Sequence, residues 1–228
     1  MGADEPGRDL EWVRSRVLHV VGHELRTPVT TIRGLTDALV ATEAGCEVEA
    51  HAEIVGALQR NARRLEGLVD DLLAAANVTT SLPVGDPWPI PLGETVRQAW
   101  TEVGRGSLAL EDRDAAKGLA RPLSARRIVS HVLDNAAKYG TPPVTVRVYA
   151  AGAVVRVDVD SPGAELPPED LAYATEPFWR GERAVTTAPG LGLGLTVAQI
   201  LVAHEGGGLF LKARDGGGLV TVLEFPPA

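Results

Sequence analysis

Apolar residues recur at helical spacing over two long N-terminal stretches and alternate with polar ones only much later in the chain. Taking roughly 100° per residue, Leu10, Val17, Val21, Leu25, Ile32, Leu35 and Leu39 fall within a stripe about 80° wide, which predicts an amphipathic helix over residues 9–43. A polar turn at residues 42–47 follows. Ile54, Leu58, Leu65, Val69, Leu72 and Ala76 then form a second stripe. Two amphipathic helices joined by so short a loop make an antiparallel hairpin. One hairpin cannot cover both of its stripes, and pairing with a second copy would bury them in a four-helix bundle, so a homodimer is expected.

Residues 79–91 hold four prolines and one glycine, which no helix continues through, and they are expected to be a linker. Beyond them the pattern is mixed. Helices are predicted over residues 93–103, 122–139 and 196–204. Val144, Val146 and Val148 alternate with polar residues, as do Val155, Val157 and Val159, with a turn at 150–153, and residues 209–225 read as a closing hairpin around Gly216-Gly217-Gly218. The expected class is α+β: a helical hairpin over 1–78, the linker, and an α/β sandwich over 92–228.

Composition narrows the function. A net charge of -8 argues against nucleic acid as the partner. The one cysteine, Cys46, excludes an intrachain disulfide framework and fits a reducing compartment. No run of eighteen apolar residues exists and the N-terminus lacks the features of a signal peptide, so this segment is expected to be cytoplasmic without membrane contact, as a soluble protein or as part of a membrane-anchored sensor.

The candidate chemistry begins at Gly22-His23-Glu24-Leu25-Arg26-Thr27-Pro28-Val29-Thr30. His23 lies opposite the apolar stripe, and an imidazole that titrates near 6.5 has a neutral nitrogen free to attack an electrophile. Glu24 can accept the proton from the other ring nitrogen. Thr27 sits one turn on, on the same face, and Pro28 is expected to kink the helix. A lone surface histidine beside a glutamate is usually only a solvated pair, but the whole string resembles the phospho-acceptor box of two-component sensor histidine kinases. The resemblance implies that His23 takes a phosphoryl group, Glu24 assists, and Thr27 helps water remove phosphate from a response-regulator receiver domain.

Further boxes of that family follow in order. Gly190-Leu191-Gly192-Leu193-Gly194-Leu195 precedes a predicted helix, where glycine flexibility and unpaired N–H groups could cradle phosphate. On its own this run could equally be a tight turn. It resembles the second glycine box of the Bergerat-type ATP-binding domain, and Glu176-Pro177-Phe178-Trp179-Arg180 resembles the phenylalanine box before the ATP lid, which would span about 179–190. His131-Val132-Leu133-Asp134-Asn135-Ala136-Ala137-Lys138-Tyr139 resembles the asparagine box, implying ATP and Mg2+ as cofactors. Asn135 offers Mg2+ a neutral oxygen, Lys138 can neutralise phosphate, and Tyr139 offers a ring for adenine stacking.

The departures fall at two places. His131 stands where the family has a first asparagine, and because Mg2+ prefers oxygen to imidazole it is expected to support the site rather than ligate that ion. Ser161-Pro162-Gly163-Ala164-Glu165-Leu166 matches the segment that places an aspartate at the adenine amino group, a position occupied here by Ser161; Gly163 keeps a family glycine, and Glu165 replaces another. Asp160 is adjacent but is expected to face the other side of its strand. Two classes therefore stay open: a kinase that phosphorylates His23, and an adaptor or phosphatase with a degenerate nucleotide site.

Overall fold

The computed structural model describes residues 6–41, 48–75, 85–103, 106–113, 115–181 and 191–228. Its chain divides into two compact units, one helical and one of mixed α/β structure.

The helical unit is a hairpin of α1 (Pro6–Ala41) and α2 (Val48–Ala75). Pro28 lies inside α1, which continues through it as one helix. Along the described side chains, Val21, Leu25, Ile32, Leu35 and Leu39 are partly covered, at the expected spacing. On α2 the covered positions include Ile54, Leu58, Leu65, Leu68 and Leu72, whereas Val69, expected on that stripe, is 42% exposed. Leu68 takes its place, since residues 58, 61, 65, 68 and 72 keep the three-four spacing of one face. No described side chain of α2 is fully buried. Ala76 and the 42–47 turn lie outside the described residues.

The second unit begins earlier than the linker expectation allowed. Residues 88–91 form strand β1 (Trp88–Pro91), antiparallel to β3 (Lys117–Ala120) in a two-stranded ribbon. Prolines fit there because β1 pairs on one side only, so their missing N–H groups break no second ladder. Helix α3 (Leu92–Val103) follows directly.

A five-stranded sheet runs in the order β2-β4-β5-β7-β6, comprising β2 (Leu108–Asp112), β4 (Val144–Ala151), β5 (Val154–Pro162), β6 (Gly208–Ala213) and β7 (Gly218–Phe225). Only the β2–β4 pair is parallel. The register pairs Val146 with Val159 and Val148 with Val157, so the alternating valines share one buried face. Against it pack α4 (Pro122–Tyr139) and α6 (Gly194–His204), which bury Ile128, Val132 and Leu133, and Val197, Leu201 and Val202. A short α5 (Pro168–Tyr173) lies between β5 and α6 in sequence.

On the opposite face the same register sets polar groups across from each other. The Tyr149 hydroxyl donates to Asp158 Oδ2 (3.0 Å), and Arg156 donates to Glu224 Oε1 from Nε (2.9 Å) and Nη2 (2.6 Å). Glu224 pushes the Arg156 pKa further above its already high ordinary value. Elsewhere, buried Glu205 accepts both the Arg121 backbone N–H (3.0 Å) and its Nη1 (3.2 Å), while Arg121 Nε donates to the Gly85 carbonyl (2.7 Å).

Candidate nucleotide site and phospho-acceptor helix

In the α/β unit, α4 meets the first turn of α6 near its middle and the end of β5 at its C-terminal end. His131 marks the first of these contacts. Its Nδ1 lies 3.6 Å from where a Cβ on Gly194 would stand, so the ring rests against the first residue of α6. Asn135 is one turn further along α4 and Lys138 nearly two, on the same half-buried flank. Lys138 Nζ is ion-paired with Asp134.

The start of α6 has no side-chain cap. Gly192 sits just before it at φ +71°, where a Cβ would stand 2.6 Å from the Trp179 carbonyl oxygen. Only glycine tolerates both demands. The Gly192 carbonyl accepts the Phe178 N–H at 3.0 Å, and Phe178 itself has φ +64°. The Glu176–Arg180 box and the glycine run are thus one braced turn. Thr196 adds a second brace, donating from Oγ1 to the Thr175 carbonyl at 2.8 Å. Leu191 and Leu193 are buried, Gly194 opens the helix, and Gly190 lies outside the described residues, as do residues 182–189 of the expected lid.

At the other end, Gly140 bridges Gly163, and the Thr141 N–H donates to the Pro162 carbonyl (2.6 Å), tying the end of α4 to the end of β5. A Cβ on Gly163 would lie 3.0 Å from the Tyr139 carbonyl oxygen. Tyr139, 39% exposed, and buried Ser161 therefore flank one junction. The Ser161 hydroxyl donates to the Leu219 carbonyl at 3.1 Å. Asp160 faces the other side of the strand, as strand alternation requires, where Arg214 Nε donates to its Oδ1 at 2.7 Å. Glu165 is exposed.

These groups suit a nucleotide unevenly. The uncapped start of α6, the glycine approach at 192, the Asn135 amide oxygen and the Lys138 ammonium suit Mg2+ and phosphate. The β5 end offers a neutral hydroxyl that has already committed its proton.

In the helical unit, α1 carries the acceptor string. His23 is in the described helix, but its side chain lies outside the described residues. Glu24 Oε2 is 3.5 Å from Arg64 Nη2 of α2, which the sequence reading missed because a residue forty positions away leaves no local signal. Thr27 is exposed, and its carbonyl accepts the Thr31 hydroxyl at 3.0 Å. Among the described residues, no helix is long and apolar enough to cross a membrane.

Two family models match the chain: the His Kinase A (phospho-acceptor) domain over residues 13–80, and the histidine kinase-, DNA gyrase B- and HSP90-like ATPase over residues 120–228. The chain belongs to the two-component histidine kinases and carries the two domains of their core. It is 29% identical over 224 residues to the sensor histidine kinase GlrK of Escherichia coli, covering 95% of this chain and 47% of GlrK. To the signal transduction histidine-protein kinase/phosphatase MprB of Mycolicibacterium smegmatis it is 29% identical over 230 residues, covering 90% and 43%. The chain thus spans about half the length of these relatives or slightly less. Full-length ShkA in complex with AMPPNP shares the fold at a TM-score of 0.63 and 23% identity, over 94% of this chain and 46% of ShkA.

Proposed function

We propose that this chain binds ATP with Mg2+ in its α/β unit, transfers the terminal phosphoryl group to His23, and passes it to an aspartate on a response-regulator receiver domain. The observation that carries the reading is the acceptor string, set in a helix within a matched phospho-acceptor domain and followed by a matched ATPase domain. When bound, the nucleotide and its metal supply an activated phosphoryl group, and the protein's task is positioning and charge neutralisation. Asn135 would hold the metal through its amide oxygen, and Gly163 would let backbone approach the base. The N–H groups at the start of α6, with Gly190, Leu191, Gly192, Leu193 and Gly194 around them, would hold phosphate alongside Lys138. Because Lys138 is paired with Asp134, it offers a shared rather than a full charge. His23 attacks through a ring nitrogen, and Glu24, steadied by Arg64, takes the proton from the other.

The half-covered faces of α1 and α2 support a homodimer in which four helices bury what two leave open. Thr27, exposed one turn beyond His23, would orient water for dephosphorylating the partner, an activity that the name of MprB includes. The adaptor reading draws on one observation, the engaged hydroxyl of Ser161 in place of a carboxylate.

Incubation with labelled ATP and Mg2+ should give an acid-labile, alkali-stable phosphoprotein. His23→Ala should abolish it while circular dichroism stays unchanged, and full labelling of that variant would sink the assignment. Thr27→Ala should leave autophosphorylation largely intact and slow dephosphorylation of a phosphorylated receiver domain; equal loss of both activities would make Thr27 structural. Absence of ATP binding by calorimetry, with or without Mg2+, would favour the adaptor.

A further inference from the structure

We infer that His131 makes this nucleotide site select Mn2+, or a similar imidazole-accepting ion, over Mg2+. The inference rests on the nucleotide-binding reading above. His131 and Asn135 are four residues apart on α4 and so project from one face. The His131 ring lies against Gly194, at the uncapped start of α6 where phosphate is expected to sit. An imidazole and an amide are therefore neighbours on one face of α4, and the imidazole is beside the start of α6. Lys138, one turn beyond Asn135, is paired with Asp134 and so offers phosphate only a shared charge.

That donor pair does not treat divalent ions alike. Mg2+ demands an all-oxygen octahedron and gives up its waters reluctantly, so beside His131 it keeps a water where the imidazole could bind. Mn2+ takes imidazole and oxygen together, and later first-row ions bind nitrogen more tightly still. Asn135 with Mg2+ gives one protein ligand; Asn135 and His131 with Mn2+ give two.

The test uses the full chain and a non-hydrolysable ATP analogue. Calorimetry in Mn2+ and in Mg2+ should show the analogue bound about tenfold more tightly with Mn2+, the size of change that one ligand makes at a metal site. In His131→Asn that ratio should fall to within about threefold, through weaker Mn2+ binding, stronger Mg2+ binding or both. Pulsed electron paramagnetic resonance on the Mn2+ complex reads the coordination in the unaltered protein. With 15N-labelled histidine, a directly bound 15N coupling should appear, and it should vanish in His131→Asn. A bound analogue with no histidine coupling, or a Mn2+ to Mg2+ ratio that the substitution leaves unchanged, would overturn the inference and leave the nucleotide site standing. No binding of the analogue with either metal would overturn both.

Discussion

The first turn of α6 and the far end of β5 are built on the same device and offer opposite chemistry. At each, a glycine lets two backbones come closer than a side chain permits: Gly192 under the Trp179 carbonyl, Gly163 beside that of Tyr139. At α6 the device leads into a helix start with no side-chain cap among the described residues. At β5 it leads to a serine whose hydroxyl proton is spent inside the sheet, on Leu219. One place is ready for an anion, while the other has become a strand end with a weak acceptor. The backbone shape of a site can therefore be complete while the side-chain chemistry at one end has changed.

Gly192→Ala attacks the α6 side and should have the largest effect. A left-handed alanine costs about 1–2 kcal/mol, and displacing the Trp179 carbonyl adds about 1–3 kcal/mol. Calorimetry should show ATP affinity falling roughly a hundredfold, with the sheet intact by circular dichroism. Unchanged affinity would remove phosphate from the first turn of α6.

Ser161→Asp probes the β5 side. Charged acceptors contribute about 1.5–3 kcal/mol and neutral ones about 0.5–1.5, so ATP should bind about tenfold more tightly. Losing the bond to Leu219 should at the same time lower the urea midpoint, by about 1 kcal/mol of stability. If affinity falls or stays level, the β5 end does not hold the base in the family's way.

Glu165→Gly should matter least. Glu165 stands where the family has a glycine, and its side chain is exposed. Removing a solvent-screened charge contributes about 0.2–1 kcal/mol, which amounts to no more than about a fivefold gain in ATP affinity.

Where local periodicity was strong, the fold was legible: α4 runs over residues 122–139 as the spacing predicted, and the valines of β4 and β5 share one face. β2 and β3 went unread because each is only four or five residues long and takes its stability from a distant partner, Val144–Val148 for one and Trp88–Pro91 for the other. β1 was hidden by its own prolines, which signal a break unless the strand is known to pair on one side. At the site, the resemblance named Asn135, Lys138 and Ser161, and the pairing of Lys138 with Asp134 follows from their i,i+4 spacing on one helix. No spacing rule could say that Ser161 is turned toward Leu219, because that depends on a neighbour that only the folded chain supplies.

Arg121 gives the α/β unit a mechanical property as well. Its guanidinium holds the Gly85 carbonyl, just before β1, and the Glu205 carboxylate, which immediately follows α6. The other end of α6 begins at the turn of Gly192, so the segment leading into β1 and that turn are tied to opposite ends of one helix. A displacement at residue 85 therefore reaches the C-terminal end of α6 through Arg121 and the buried Glu205 carboxylate.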